Sequence, residues 1–210
     1  MRLFPSLRPL VLAALCSVVP GAANAANFTP AQIADLKRVS AAMNATQNLR
    51  GHFLQIGADG TAEQGTFYMR KPGRVRFEYN APNPVLVIAD GTTVAVQNTK
   101  LKTTDRYPLV DSPLRLLLGG NVDLSSDPHV VSVDHEPGLI SVTAKETSGA
   151  AQGEITITLS DPAMELRQWE VVDAQGQRTL VTLRDVQSST VPDAKLFVIE
   201  ELNPFQQRRD

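Results

Sequence analysis

The sequence predicts a mainly β (α+β) fold: one large, strongly curved antiparallel sheet or barrel, with one helix before it and a short leucine-rich helix interrupting it. Three observations carry this expectation. From Leu49 onward apolar residues recur with a period of two, as in strands that bury one face. The segments between these strands are short and rich in Gly, Pro and Asp, and none is long enough for the crossover helix that parallel pairing requires. Helical spacing is confined to one stretch before the strands and one in their middle.

Residues 1–25 read as an export signal rather than as part of the fold. Arg2 and Arg8 supply a positive start, "LVLAALCSVV" an apolar core, and Ala23, Asn24 and Ala25 a small-residue cleavage site. The apolar core is too short to span a bilayer. Cys16 lies inside it after Leu15, where a lipoprotein signal wants Gly, Ala or Ser, so it reads as incidental. The mature chain, from Ala26, then holds no cysteine, no disulfide framework and no thiol nucleophile. It carries 18 basic against 22 acidic residues, a net charge of −4. That balance argues against nucleic acid, whose binding rests on neutralised phosphates. A periplasmic protein with a single domain over residues 26–210 is expected.

The first element is a helix in "FTPAQIADLKRVSAAMN". Thr29 stands as N-cap, Pro30 at the first helical position, and Gln32 completes a capping box. Ile33, Leu36, Val39 and Met43 form one apolar stripe. The strands follow: "LRGHFLQIG", "GTFYMRK", "RVRFEY", "PVLVIADG", "TTVAVQN" and "KLKTTDRY", with Asp90-Gly91 as a hairpin signal. A second series, "HVVSVDHE", "LISVTAKE", "GEITITLS", "ELRQWEVVD" and "RTLVTLRDV", is punctuated by "EPG", "DPA" and "DAQG", and "KLFVI" reads as a further strand.

Between the two series, "YPLVDSPLRLLLGG" offers Ser112 as N-cap, Pro113 at the first helical position and Gly119 as the stop. Leu114, Leu116, Leu117 and Leu118 make this helix apolar on nearly every side. It must be buried, either as a plug closing a barrel end or as a lid over an apolar hollow.

No nucleophile elbow, zinc-protease helix or phosphate-cradling glycine loop is present. The densest polar cluster is "DPHVVSVDHE", with Asp127, His129, Asp134, His135 and Glu136. Alternation puts both histidines on one strand face but far apart and Asp134 on the other, the pattern of a solvated edge strand rather than of converging metal ligands. His52 reads as a strand residue. No catalytic set and no cofactor is expected.

"GTFYMRKPGRVRFEYNAPNPVLVIADGTTV", followed by "VDSPLRLLL", resembles LolA, the family of periplasmic carriers of outer-membrane lipoproteins. The likeness extends to the N-terminal helix, to Phe53 and Gln55 as F-x-Q, and to a late "LF". It implies an incomplete antiparallel β-barrel with a helical lid over a hydrophobic cavity. It also implies a monomeric, non-enzymatic chaperone that takes lipoproteins from an inner-membrane ABC-type release complex and passes them to an outer-membrane acceptor, where one exists. A sensor of mislocalised lipoproteins with the same architecture is the alternative, and an envelope lipid hydrolase a third.

The resemblance also singles out residues. The family places an arginine immediately before the proline, hydrogen-bonded to backbone carbonyls of the lid. The matching residue here is Lys71, with Arg70 next to it on the opposite strand face. A lysine lacks the planar fork of arginine, so its latch is weaker or differently placed, and a lysine that snorkels to water is the other reading. Phe53, Phe67, Met69, Val75 and Phe77 are the expected cavity wall, and Leu114, Leu117 and Leu118 the lid; a packed core would use the same residues. Arg74, Arg76 and Glu78 face away and are expected in solvent.

Overall fold

The computed structural model describes residues 28–147 and 152–202. The expected export signal and Cys16 lie outside the described residues.

Helix α1 (Pro30–Ala45) begins at the capping box expected for it. The Thr29 side chain accepts from the Gln32 amide, and the Gln32 side chain accepts from the Thr29 amide at 2.9 Å. Its stripe turns Leu36, Val39 and Met43 into the core, with Ile33 half-buried at the end.

Eleven strands follow among the described residues. They are β1 (Asn48–Ile56), β2 (Ala62–Arg70), β3 (Arg74–Tyr79), β4 (Val85–Asp90), β5 (Thr93–Asn98), β6 (Thr103–Pro108), β7 (Val130–Glu136), β8 (Leu139–Glu146), β9 (Gly153–Ser160), β10 (Leu166–Asp173) and β11 (Arg178–Gln187). All pair antiparallel in one sheet, ordered β6-β5-β4-β3-β2-β1-β11-β10-β9-β8-β7. Two meanders are thus joined where β1 meets β11, and the sheet is not closed, because β6 and β7 are its two ends. This is the incomplete barrel expected. A 3-10 helix (Leu109–Asp111) and helix α2 (Leu114–Leu118) lie in the connection between the two edge strands.

Register sets the inner face. Leu49, Met69, Val75, Ala89 and Val94 form one cross-strand row, and Phe67, Phe77 and Val87 the next. On the other meander Val181, Trp169, Ile157, Val142 and Val133 line up in the same way. Gly65 is required where strands and rings crowd: a Cβ there would stand 2.0 Å from the Glu78 carbonyl oxygen and 2.7 Å from the Phe53 ring.

The last expected strand is not one. Within "KLFVI" a 3-10 helix (Ala194–Phe197) forms instead, started by the Asp193 side chain accepting from the Lys195 amide. The segment crosses the convex face of β3 and β4, which already have both ladder partners, so no edge is free to receive it. Its carbonyls are satisfied by side chains: Arg76 donates to Leu196 O at 3.1 Å and Gln97 to Glu200 O at 2.7 Å. Phe197 is buried there, on the face that carries Ile88 and Ala95. Arg76 is therefore no solvated residue; only 19% of its side chain is exposed, and it also binds Glu78 at 2.6 Å.

Candidate functional site

The concave face is a continuous apolar wall. Phe53, Phe67, Met69, Val75 and Phe77 are brought into one cluster by the register of β1, β2 and β3. The Phe53 ring meets Phe77 and Tyr79 edge-on at 5.2 and 5.0 Å, and Phe77 lies 6.0 Å from Trp169 across the barrel. Tyr79 marks the rim. Its hydroxyl donates to Gln55 at 2.7 Å, and burial pushes its ionisation up to about 12.

Two helices and the chain after them cover this wall. Leu116, Leu117 and Leu118 are buried and Leu114 is half-buried, so α2 contributes leucines on all sides, as its composition required. Each buried leucine stabilises the closed cover by roughly 1.5–3 kcal/mol. Pro113, not Ser112, is the N-cap of α2; Ser112, two residues before the helix, still accepts from the Leu114 amide through its Oγ at 3.3 Å.

The 71–73 turn holds both helices. Lys71 Nζ donates to Met43 O in the last turn of α1 at 2.9 Å, while the Lys71 amide donates to Gln47 O at 2.8 Å. Two residues on, the Gly73 amide donates to Leu118 O at 2.9 Å, catching the end of α2. Gly73 has φ +77, and a Cβ on it would stand 2.7 Å from Gly91 Cα, so the turn stacks on the β4-to-β5 hairpin. The Lys71 ammonium thus grips α1 by its side chain and α2 only through the neighbouring backbone. Lys71 is 7% exposed, and burial lowers its pKa to about 8. Arg70 points to the other strand face and is half-exposed.

Two residues absent from the sequence expectations tie the cover together. Asn44 donates to Val122 O and accepts from the Val122 amide, both at 2.8 Å. Ser40 Oγ donates to Leu36 O and accepts from the Leu124 amide at 2.9 Å. Helix α1 and the chain following α2 therefore form one unit. The available signal was a serine and an asparagine set beside the apolar stripe of α1, where a surface helix would carry longer charged side chains.

The histidine cluster is split between the two helices. A bulge between Val130 and Ser132 breaks the alternation, so Val130 and Val133 both enter the core; His129 stands just before β7 and His135 near its end, each with partners of its own. His135 Nε2 lies 2.9 Å from Asp35, and Arg38 bridges Asp35 and Asp161 at 2.9 and 2.7 Å. The His135 hydrogen bond holds the Asp35 carboxyl below its ordinary range. At the other end His129 contacts Asp127 at 2.8 Å and Glu146 at 3.1 Å, and Arg115 of α2 approaches Glu146 at 3.6 Å. His52 lies at the β1 edge of Asp185, 3.3 Å away and exposed.

The wall is closed in this state. Exposures of 0 to 7% leave Phe53, Phe67, Met69, Val75 and Phe77 almost wholly covered. Space exists at the margins of the cover instead. A cleft of 450 Å³ lies between α2 and the turns carrying Pro72 and Gly91. A second, of 490 Å³, opens between the end of α1 and the turn from β9 to β10. Hydrocarbon can reach the wall only if the cover moves.

A family model described as "Outer membrane lipoprotein carrier protein LolA" matches residues 44–200. The outer-membrane lipoprotein carrier protein of Pseudomonas paraeruginosa is 24% identical over 175 residues, spanning 80% of this chain and 84% of that one. Its counterpart from Dechloromonas aromatica is 28% identical over 160 residues, spanning 72% and 76%. Among solved structures, a LolA superfamily protein from Nitrosomonas europaea aligns with a TM-score of 0.41 at 9% identity, covering 78% of this chain and 97% of that one.

Proposed function

The chain belongs to the LolA family of outer-membrane lipoprotein carriers, and from that premise we propose that it binds the acyl chains of lipoproteins leaving the inner membrane and carries them across the periplasm to the outer membrane. The observation that carries the proposal is the apolar concave wall closed by a cover whose two helices are both held by one turn.

The physical need is large. Each methylene exposed to water costs about 0.8 kcal/mol, so three chains of about fifteen carbons cost some 36 kcal/mol. The wall offers aromatic and branched side chains, which suit ligands that lack hydrogen-bonding groups. When the cover swings out, acyl chains take the contacts that α2 leucines leave, so the exchange is nearly balanced and release needs no fuel held by the carrier. The buried Lys71 ammonium fits such a balance: its desolvation disfavours the closed state while its bond to Met43 favours it. In this reading Lys71 is the latch, Phe53, Phe67, Met69, Val75 and Phe77 receive the chains, and Leu114, Leu117 and Leu118 ride on the lid. The protein acts as a monomer between an inner-membrane ABC-type release complex and an outer-membrane acceptor, and it catalyses no reaction.

The test is incubation of the purified protein with membranes bearing a labelled lipoprotein and the release complex. A soluble one-to-one complex of carrier and lipoprotein is expected. Label that stays with the membranes while the release complex is active overturns the proposal.

A further inference from the structure

The two clefts beside the cover are not equivalent. The one next to α2 is lined by Pro72 and four glycines beside Leu109 and Leu118 of the core, and its rim carries a single charged residue, Arg115. The other, beside the end of α1, is bordered by Ala42, Ala45, Leu49, Met164, Leu166 and Val186. Leu49 belongs to the buried core, and Ala42, Met164, Leu166 and Val186 are packed against it. Its apolar floor is thus a surface extension of the concave wall. Its outer rim is polar, with the Glu165 and Arg167 pair at 2.7 Å and Asp185 opposite. An apolar floor continuous with the core under a polar rim fits the junction at which hydrocarbon meets a polar peptide.

We infer that this cleft is the loading site: it takes the first acyl chain of the lipid anchor while the cover is still shut. The inference rests on the carrier reading. One wall of the cleft is the last turn of α1, the turn whose Met43 carbonyl holds Lys71. A chain wedged between Ala45 and the β9-to-β10 turn pushes that helix end away from the sheet and pulls on the Lys71 to Met43 bond that ties it there. Leu49 lies opposite Met69 in register, so a chain sliding inward along the floor arrives at the wall. First binding and unlatching are thereby one motion.

The experiment uses the purified protein and a synthetic triacylated amino-terminal-cysteine lipopeptide with brominated acyl chains. Trp169 is the single tryptophan, 2% exposed and beside Phe77, so bromine quenches it only after a chain has entered the concave face. Ala45 and Ala163 are exposed positions on the cleft, and filling them with Ala45→Phe and Ala163→Phe leaves the core untouched. Quenching in the double variant is expected to be slower by about tenfold, with an unchanged final amplitude. Val110→Phe, which fills the cleft beside α2 at a residue 69% exposed, keeps the wild-type rate. Wild-type speed in the filled variant, or equal slowing by Val110→Phe, overturns the loading site and leaves the carrier standing. An absence of quenching in the wild-type protein overturns both. Should the double variant melt early, Ala163→Phe alone, on the turn, decides by the same rates.

Discussion

Lys71 Nζ donates to Met43 O at 2.9 Å, joining the end of β2 to the last turn of α1, while two residues later the chain holds α2 through the Gly73 amide. One tight turn therefore governs both helices that cover the concave face. The side chain acts on α1 rather than on the leucine helix.

Replacement of Lys71 by Leu removes the bond to Met43 together with a buried charge. These effects oppose one another, so global stability changes by less than about 2 kcal/mol. Lipoprotein hand-over from carrier to acceptor membranes is expected to fall, measured as label transferred per unit time. Unchanged transfer in a folded Lys71→Leu protein sinks the latch.

The pH dependence follows from the same group. Burial lowers the Lys71 pKa from 10.5 to about 8, so between these values the unfolded or open chain binds more protons than the closed one. Stability attributable to Lys71 therefore rises with pH from about 8 to 10.5 and is flat below 8. Denaturant unfolding across that range, compared with Lys71→Met, checks the sign: the stability of the wild-type protein relative to the variant rises with pH.

Asn44 satisfies both backbone groups of Val122, so Asn44→Ala leaves a donor and an acceptor without that partner. A loss of about 1–3 kcal/mol is expected. Hydrogen exchange at residues 120–124 should quicken more than in the strands, since the tie between the helices is what is cut.

Phe77 touches Phe53, Phe67 and Trp169. Phe77→Ala is expected to cost about 3–5 kcal/mol and to shift Trp169 emission, because the void it leaves borders that ring. Chemical denaturation and steady-state fluorescence measure both.

Arg76→Ala releases one fastening of the C-terminal segment, the bond to Leu196 O, and the ion pair to Glu78. Because the arginine is half-buried, a loss of about 1 kcal/mol is expected. Cleavage near residues 196–202 by a nonspecific protease should accelerate, and equal cleavage rates would show that Phe197 alone anchors the segment.

Much of this was legible because it is local. The capping box of α1, the period-two strands, the Asp90-Gly91 hairpin and the all-round leucine helix each follow from backbone and burial rules within a few residues. Parity alone placed Phe67, Met69 and Lys71 on one face, which is where they lie. Alternation misled at "HVVSVDHE", because a bulge adds a residue that no periodicity reveals. It misled again at "KLFVI", where an apolar run without a free sheet edge folds as a 3-10 turn across a face.

The sequence by itself determined most of the elements, the apolar side of most of them, and the family to which the chain belongs. Tertiary structure decided what those sides meet: that Lys71 reaches Met43, that Asn44 and Ser40 bind the chain beyond α2, and that the cover is shut. These are contacts between segments 28 to 84 residues apart. Local propensity carries no information about such distances, because they depend on how far the sheet curls and where its two unpaired edges leave room.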